Sequence, residues 1–235
     1  MTELVAAAKK KRSKPGPLTQ LMFDFYNNDG WLMFATVCAI SWLFTWFLNT
    51  EVLTDQVYYS SLSNKLKPES LIQFVQDQHK SQLLSYFLVP LMLCVRIGLV
   101  SICLLAGLLL TSRKLPLRTL CKIAVFAELA FSVRLIVKLF LLCFFREVDT
   151  LDQYTSFAPF SVYSLLNPSS VPSWLTYPLQ MLDLFQVCYV MLLAVGLSYY
   201  LRRPVKQMAR IVLCSYGVGL LLCMIGFAFF KLGTL

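Results

Sequence analysis

The chain has 235 residues, 58% of them hydrophobic and 14% charged, with a formal net charge of +9. That length holds one domain, or at most two subbundles, and the apolar fraction lies well beyond that of soluble globular proteins. Nucleic acid is excluded as the partner of the positive charge. The basic residues form no stripe with interleaved aromatics; they border long apolar runs.

Residues 1–15 are polar and basic, carrying Lys9, Lys10, Lys11, Arg12 and Lys14. A topology anchor is the plain reading, and contact with anionic lipid headgroups follows from charge, at about 1 kcal/mol per basic residue near the surface. Residues 18–26 (LTQLMFDFY) place Leu18, Leu21, Met22 and Phe25 at helical spacing for an interfacial helix. Asn27-Asn28-Asp29-Gly30 then breaks the chain. Residues 1–30 therefore read as a basic cytoplasmic tail and 31–235 as a transmembrane domain.

Five apolar runs follow, over 31–49, 86–110, 116–145, 179–201 and 208–230. Each is close to the ~20 residues a helix needs to cross the hydrocarbon. Only helices satisfy their own backbone in lipid without a closed barrel, so the expected fold is all-α: a bundle of five membrane-spanning helices. Asn49-Thr50-Glu51 is no small-residue cleavage site, which makes the first run an uncleaved span rather than a signal peptide.

Two longer connections separate these runs. In 50–85, Pro68-Glu69 starts a helix that can run straight into the second span. His79, the chain's one histidine, falls on its polar part and reads as a solvated or interfacial imidazole. In 146–178, an acidic start is followed by a short apolar stretch suited to an interfacial or re-entrant helix, with Trp174 and Tyr177 as headgroup-level anchors. The Asn167-Pro168 and Val171-Pro172 steps argue against one continuous helix there.

Charge gives the orientation. The tail, then Arg113, Lys114 and Arg118, then Arg202, Arg203, Lys206 and Arg210 place twelve basic residues on one side. The other side has Lys65, Lys67, Lys80, Arg146 and Lys231 against seven acids. The positive-inside rule makes the N-terminus cytoplasmic and the C-terminus outside. Membrane lipids, anionic on the cytoplasmic side, are then the expected partners of Lys9, Lys10, Lys11, Arg12, Lys14, Arg202, Arg203 and Lys206.

All eight cysteines fall in or beside apolar runs and none forms a C-x-x-C pair, so they read as inert, buried small residues. Metal ligation is not expected, and no cofactor motif is present. H-E-x-x-H, G-x-S-x-G and phosphate-binding glycine loops are missing as well.

Five ionisable residues fall within the runs: Arg96, Glu128, Arg134, Lys138 and Asp183. Such residues are costly in hydrocarbon and face partners or water. Arg96 and Glu128 both come near mid-bilayer. Arg134 and Lys138 are four apart, hence on one helical face nearer the outer side, where Asp183 can meet either. Three roles compete for these charges: interhelical pairing, contact with an anion or lipid headgroup, and an ion or proton route with Glu128 as the titrating group. In the last run, Gly217, Gly219 and Gly226 offer close helix approach.

The last 70 residues or so carry a resemblance. Ser164-Leu165-Leu166-Asn167, Met181-Leu182-Asp183-Leu184-Phe185-Gln186-Val187, Leu192-Leu193-Ala194-Val195-Gly196-Leu197 and the basic turn Arg202-Arg203-Pro204-Val205-Lys206 are similar to the C-terminal part of the Yip (Ypt-interacting protein) superfamily, bacterial-type branch. The resemblance implies five spans with a cytoplasmic N-terminus and a non-enzymatic protein that contacts other membrane proteins or acts on lipid packing. The chain departs from the pattern at Cys188, where a tryptophan is common, and lacks the long N-terminal region of eukaryotic members. Rab-type GTPase binding is therefore not carried over.

The expected function is an accessory or scaffold subunit of a membrane assembly, with other integral membrane proteins or further copies of the chain as partners. A small ion- or lipid-coupled transporter using Glu128 and Arg96 is the alternative, and a lipid-modifying enzyme the third. The bacterial inner membrane is the expected location, a eukaryotic secretory-pathway membrane the alternative.

Overall fold

A computed structural model describes residues 30–52, 54–62, 68–145, 151–167 and 171–233. The basic tail, with Lys9, Lys10, Lys11, Arg12, Lys14 and the interfacial helix expected over 18–26, lies outside the described residues.

The described chain is helical, and its only β pairing is an isolated bridge between Ser161 and Asp183. Helix α1 spans Gly30–Phe47 and ends in a π turn, Leu48–Val52. Short α2 is Asp55–Leu62, and α3 is Pro68–Leu110. Helices α4, Leu117–Ala127, and α5, Leu129–Phe145, follow in one line of sequence. Then come α6, Leu151–Ser156, and α7, Ser173–Met181. Helix α8 is Leu184–Leu201; α9, Val205–Val212, passes through a second π turn, Leu213–Gly217, into α10, Val218–Leu232.

Four of these stretches are long and apolar enough to cross a membrane: Gly30–Val52, Leu84–Leu110, Leu184–Leu201 and Val205–Leu232. Together with the helical fold they mark an integral membrane protein. The third apolar run differs from the single span expected over 116–145. It is divided at Glu128 into helices of 11 and 17 residues. Neither proline nor glycine causes this. The Glu128 carbonyl accepts from both Phe131 N (3.0 Å) and Ser132 N (3.0 Å), and from the Ser132 hydroxyl (3.3 Å), which tightens one turn. Glu128 itself keeps right-handed helical angles, φ −58° and ψ −19°.

Helix α3 is 43 residues, about 65 Å at 1.5 Å per residue, so it runs past its apolar part without a break. It carries Pro90 in its interior. Proline has no N–H to give the carbonyl four residues back, here that of Tyr86. The Trp42 indole N–H of α1 fills that vacancy at 2.8 Å and ties α1 to α3.

The core runs along the bundle and is most enclosed towards the end with the basic turns. Leu104, Leu108, Leu120, Ile123, Ala124, Ala127, Leu193, Leu197, Met208 and Val212 are fully enclosed where α3, α4, α8 and α9 meet. Two glycines permit the approach. A Cβ at Gly107 would lie 2.6 Å from Ser215 Cβ in the π turn, and one at Gly196 would lie 2.7 Å from Ile123 Cγ2. These are the close contacts, rather than those expected at the three glycines of the last run. Gly219 faces Cys103 Sγ at 3.4 Å, Gly217 meets only Leu213 of its own turn, and nothing lies within 4 Å of Gly226.

The cysteines correct the sequence reading too. All eight are free, but only Cys38 is buried; Cys94, Cys143, Cys188, Cys214 and Cys223 are exposed on outward helix faces. Hydropathy says that a thiol sits in a span, not whether it faces protein or lipid.

Both short basic turns lie at one end of the bundle. Arg113, in the turn after α3, reaches Met208 of α9 (Nη1 to Sδ 3.9 Å), just past the turn that follows α8. Gly30, where α1 begins, is beside Lys122 of α4.

Candidate functional site

The intramembrane charges gather where Glu128 interrupts the third run, towards the end of the bundle away from the basic turns. Arg96 of α3 approaches Glu128 through Nε, 3.3 Å from Oε1. Arg134 of α5 donates from Nη1 to Asp183 Oδ2 at 3.1 Å. Both carboxylates are enclosed, whereas the Arg96 and Arg134 side chains are 39% and 36% exposed.

Phe131 links the two pairs. The Arg96 guanidinium carbon lies 3.7 Å from its ring centroid and that of Arg134 lies 4.9 Å away. A guanidinium on an aromatic face gains cation–π attraction, roughly 2 kcal/mol when desolvated. Phe131 packs in turn on Tyr189 of α8 (centroids 4.7 Å apart), and Tyr189 on Tyr216 of the π turn (5.4 Å).

Asp183 does two jobs. One oxygen meets Arg134, while the other accepts from Gln186 N at 2.6 Å and caps α8. An N-cap carboxylate satisfies one of the free amides there and complements the helix dipole. The Gln186 side chain then donates to the Tyr216 hydroxyl at 2.8 Å. The backbone on either side of Asp183 is held by the preceding connection: Val162 N donates to Leu182 O (2.9 Å) and Leu184 N to Phe160 O (3.1 Å). The apolar part of 146–178 is thus tied to the start of α8, and α7 reaches the last helix through Tyr177 on Phe227 (3.9 Å).

Lys138 takes a different partner. Its ammonium sits 4.4 Å from the ring of Tyr154 in α6, so Asp183 is left to Arg134. The structure therefore brings Arg96, Glu128, Arg134 and Asp183 together and sets Lys138 beside them.

Sequence reasoning missed Phe131, Gln186, Tyr189 and Tyr216. Aromatic and amide residues in a span read as lipid-facing or core, and only the three-dimensional fold shows that they converge on charge. Two buried atoms are left over: Glu128 Oε1 and the Tyr189 hydroxyl have no hydrogen-bond partner of good geometry. Among the described residues no three His, Cys, Asp or Glu side chains converge as a metal site would require.

At the other end, Arg202 caps α8 in a left-handed conformation (φ 50°), and Arg203 exchanges hydrogen bonds with Ser198. Arg202, Arg203 and Lys206 are all exposed there.

No protein-family model, no curated protein and no solved structure matches the chain.

Proposed function

We propose that the protein is a multi-pass membrane protein with five spans, its N-terminus cytoplasmic and its C-terminus outside, acting as a non-enzymatic accessory or scaffold subunit of a membrane assembly. The third crossing is made by α4 and α5 together, a helix bent at Glu128. The helical backbone angles of Glu128 and the common end of the two basic turns support this arrangement. At that end Arg202, Arg203 and Lys206, with the tail lysines and Arg12, meet anionic headgroups. Membership of the Yip superfamily is part of the same reading.

The observation that carries the scaffold role is the pairing of charge. Both intramembrane carboxylates are committed to arginines of a neighbouring helix, at 3.3 and 3.1 Å. Such pairs fix how helices are arranged, and losing one partner leaves an uncompensated charge. Purification in mild detergent with identification of bound proteins tests it. A stable partner lost on Asp183→Ala supports the role. A chain that runs alone and carries pH- or potential-driven flux abolished by Glu128→Gln defeats it.

The second reading, a small transporter using Glu128 and Arg96, is favoured by the two buried atoms that make no hydrogen bond, Glu128 Oε1 and the Tyr189 hydroxyl. Orientation is tested by cysteine labelling in intact cells. Substitutions at Ser112 and Arg203 should react only after permeabilisation, and one at Gln153 before it.

A further inference from the structure

We infer that Arg96 and Arg134 form a binding site for a phosphate group, set in the leaflet away from the basic turns. The inference rests on the membrane-spanning reading above, and concerns a site distinct from the basic turns at the opposite end.

Three observations lead to it. The first is unmet donor capacity. A guanidinium carries five N–H donors. Of those on Arg96 and Arg134, the Arg134 N–H to Asp183 is the one engaged in a hydrogen bond within the described structure. Arg96 meets Glu128 by charge alone, without hydrogen-bond geometry. Both guanidinium carbons lie beside Phe131, and their side chains keep 39% and 36% of their surface exposed, so further donors can be reached from outside. In hydrocarbon such donors cost free energy unless an acceptor or water reaches them.

The second is spacing. Both guanidinium carbons lie close to one ring centroid, so they are at most about 9 Å apart. With N–H···O contacts of about 2.8 Å on each side, one phosphate can accept from both. Arginine's planar fork suits that group better than an ammonium does. The nearby Lys138 is turned to Tyr154, yet its charge adds to an excess of three cations over two carboxylates.

The third is depth. Asp183 caps α8 at the start of its 18-residue crossing, so the Arg134 pair sits near the membrane border. Tyr189, beside Arg96, is six residues further on, about 9 Å deeper. Arg134 is at the border itself, and Arg96, deeper in its span, has to reach up along its long side chain to meet the same group. Met92 and Leu99, one turn either side of Arg96, are exposed apolar neighbours for acyl chains.

The phosphate can belong to a lipid headgroup or to a soluble anion, and one experiment separates them. The full chain is extracted from alkali-washed membranes, which reads membrane insertion by itself. It is then reconstituted with phosphatidylcholine and phosphatidylglycerol and repurified, and the retained lipid is identified by mass spectrometry. In parallel, thermal unfolding is followed against inorganic phosphate.

Wild-type protein should retain phosphatidylglycerol preferentially. Arg96→Gln should lower that retention at least about tenfold, the worth of one charge-assisted hydrogen-bonded contact. Arg96→Lys keeps the charge facing Glu128 and serves where Gln fails to fold; it should give an intermediate loss. Lys138→Gln, an equal change of charge without loss of an arginine donor, should lower retention by much less than Arg96→Gln. If instead inorganic phosphate stabilises wild type but not Arg96→Lys, and no lipid is retained, the site takes a free phosphate. Equal lipid retention by all variants, with no effect of phosphate, overturns the site. Co-purification of a protein partner is scored separately, so loss of the scaffold role and loss of this site are told apart.

Discussion

Replacing Trp42 by phenylalanine should cost about 1 kcal/mol beyond its packing, and replacing Pro90 by alanine should abolish that part of the cost. Pro90 leaves the Tyr86 carbonyl without its intrahelical donor, and the Trp42 indole supplies one at 2.8 Å. Pro90 is six residues into Leu84–Leu110, about 9 Å from its end, where water is scarce. An unsatisfied carbonyl in hydrocarbon costs several kcal/mol in principle. Measured interhelical hydrogen bonds in membranes are smaller, about 0.6 kcal/mol on average and up to about 1.7. A backbone carbonyl with no other donor belongs in the upper part of that range. The lost Trp packing is the same with or without Pro90 and cancels in a double-mutant cycle. The alanine amide at position 90 restores the helical bond to Tyr86, so Trp42→Phe in that background should cost only its packing. Reversible unfolding of the four purified proteins in mixed micelles measures the coupling. A coupling below about 0.3 kcal/mol would refute the argument, because Tyr86 would then have an acceptable partner without Trp42.

Other outcomes follow from the same structure. Gly107→Ala forces a Cβ to 2.6 Å from Ser215 Cβ, next to the backbone, and should cost about 1–3 kcal/mol, while Gly226→Ala, with open space around it, should stay within about 0.5. Adding Ser215→Gly to Gly107→Ala should recover part of that loss in the same unfolding assay. Asp183→Asn keeps the cap on α8 but loses the Arg134 pair, so Asp183→Ala should be less stable than Asp183→Asn by about 1 kcal/mol. Tyr154→Leu removes the ring under Lys138 and should raise the rate of proteolysis within 151–156, by a few-fold for a contact worth about 1 kcal/mol.

How far the sequence could be read depends on which quantity each feature needs. Apolar length and border charge are one-dimensional: of the five spans expected, four are matched by membrane-length helices, and both basic turns lie at one end of the bundle. Depth is nearly so: helix direction and position along a span put Arg96 level with Glu128 and Asp183 level with Arg134, and each pair is made. Rotation about the helix axis is where reading stopped. Gly217, Gly219 and Gly226 share a helix with little to say which face meets protein, and the tight approaches fall at Gly107 and Gly196. The same ignorance of facing made buried residues of cysteines that point outward. The break at Glu128 left no mark in the sequence because it arises from a carbonyl accepting two amides, without proline or glycine.

The break and the charges belong together. A carboxylate inside a span needs a partner, and a straight helix presents its side chains to whatever face it happens to have. Tightening one turn at Glu128 changes the facing of everything after it. Phe131, three residues on, then lies under both guanidiniums, and Arg134 at six residues meets the cap of α8. The π turn at Leu213–Gly217 acts likewise from the far side: its extra residue per turn sets Ser215 against Gly107 and Tyr216 against Gln186. Two local departures from regular helix therefore aim the polar residues of four helices at one place. The acids end enclosed and the arginines open. If Arg96→Gln retains lipid as wild type does, that asymmetry follows from helix packing alone.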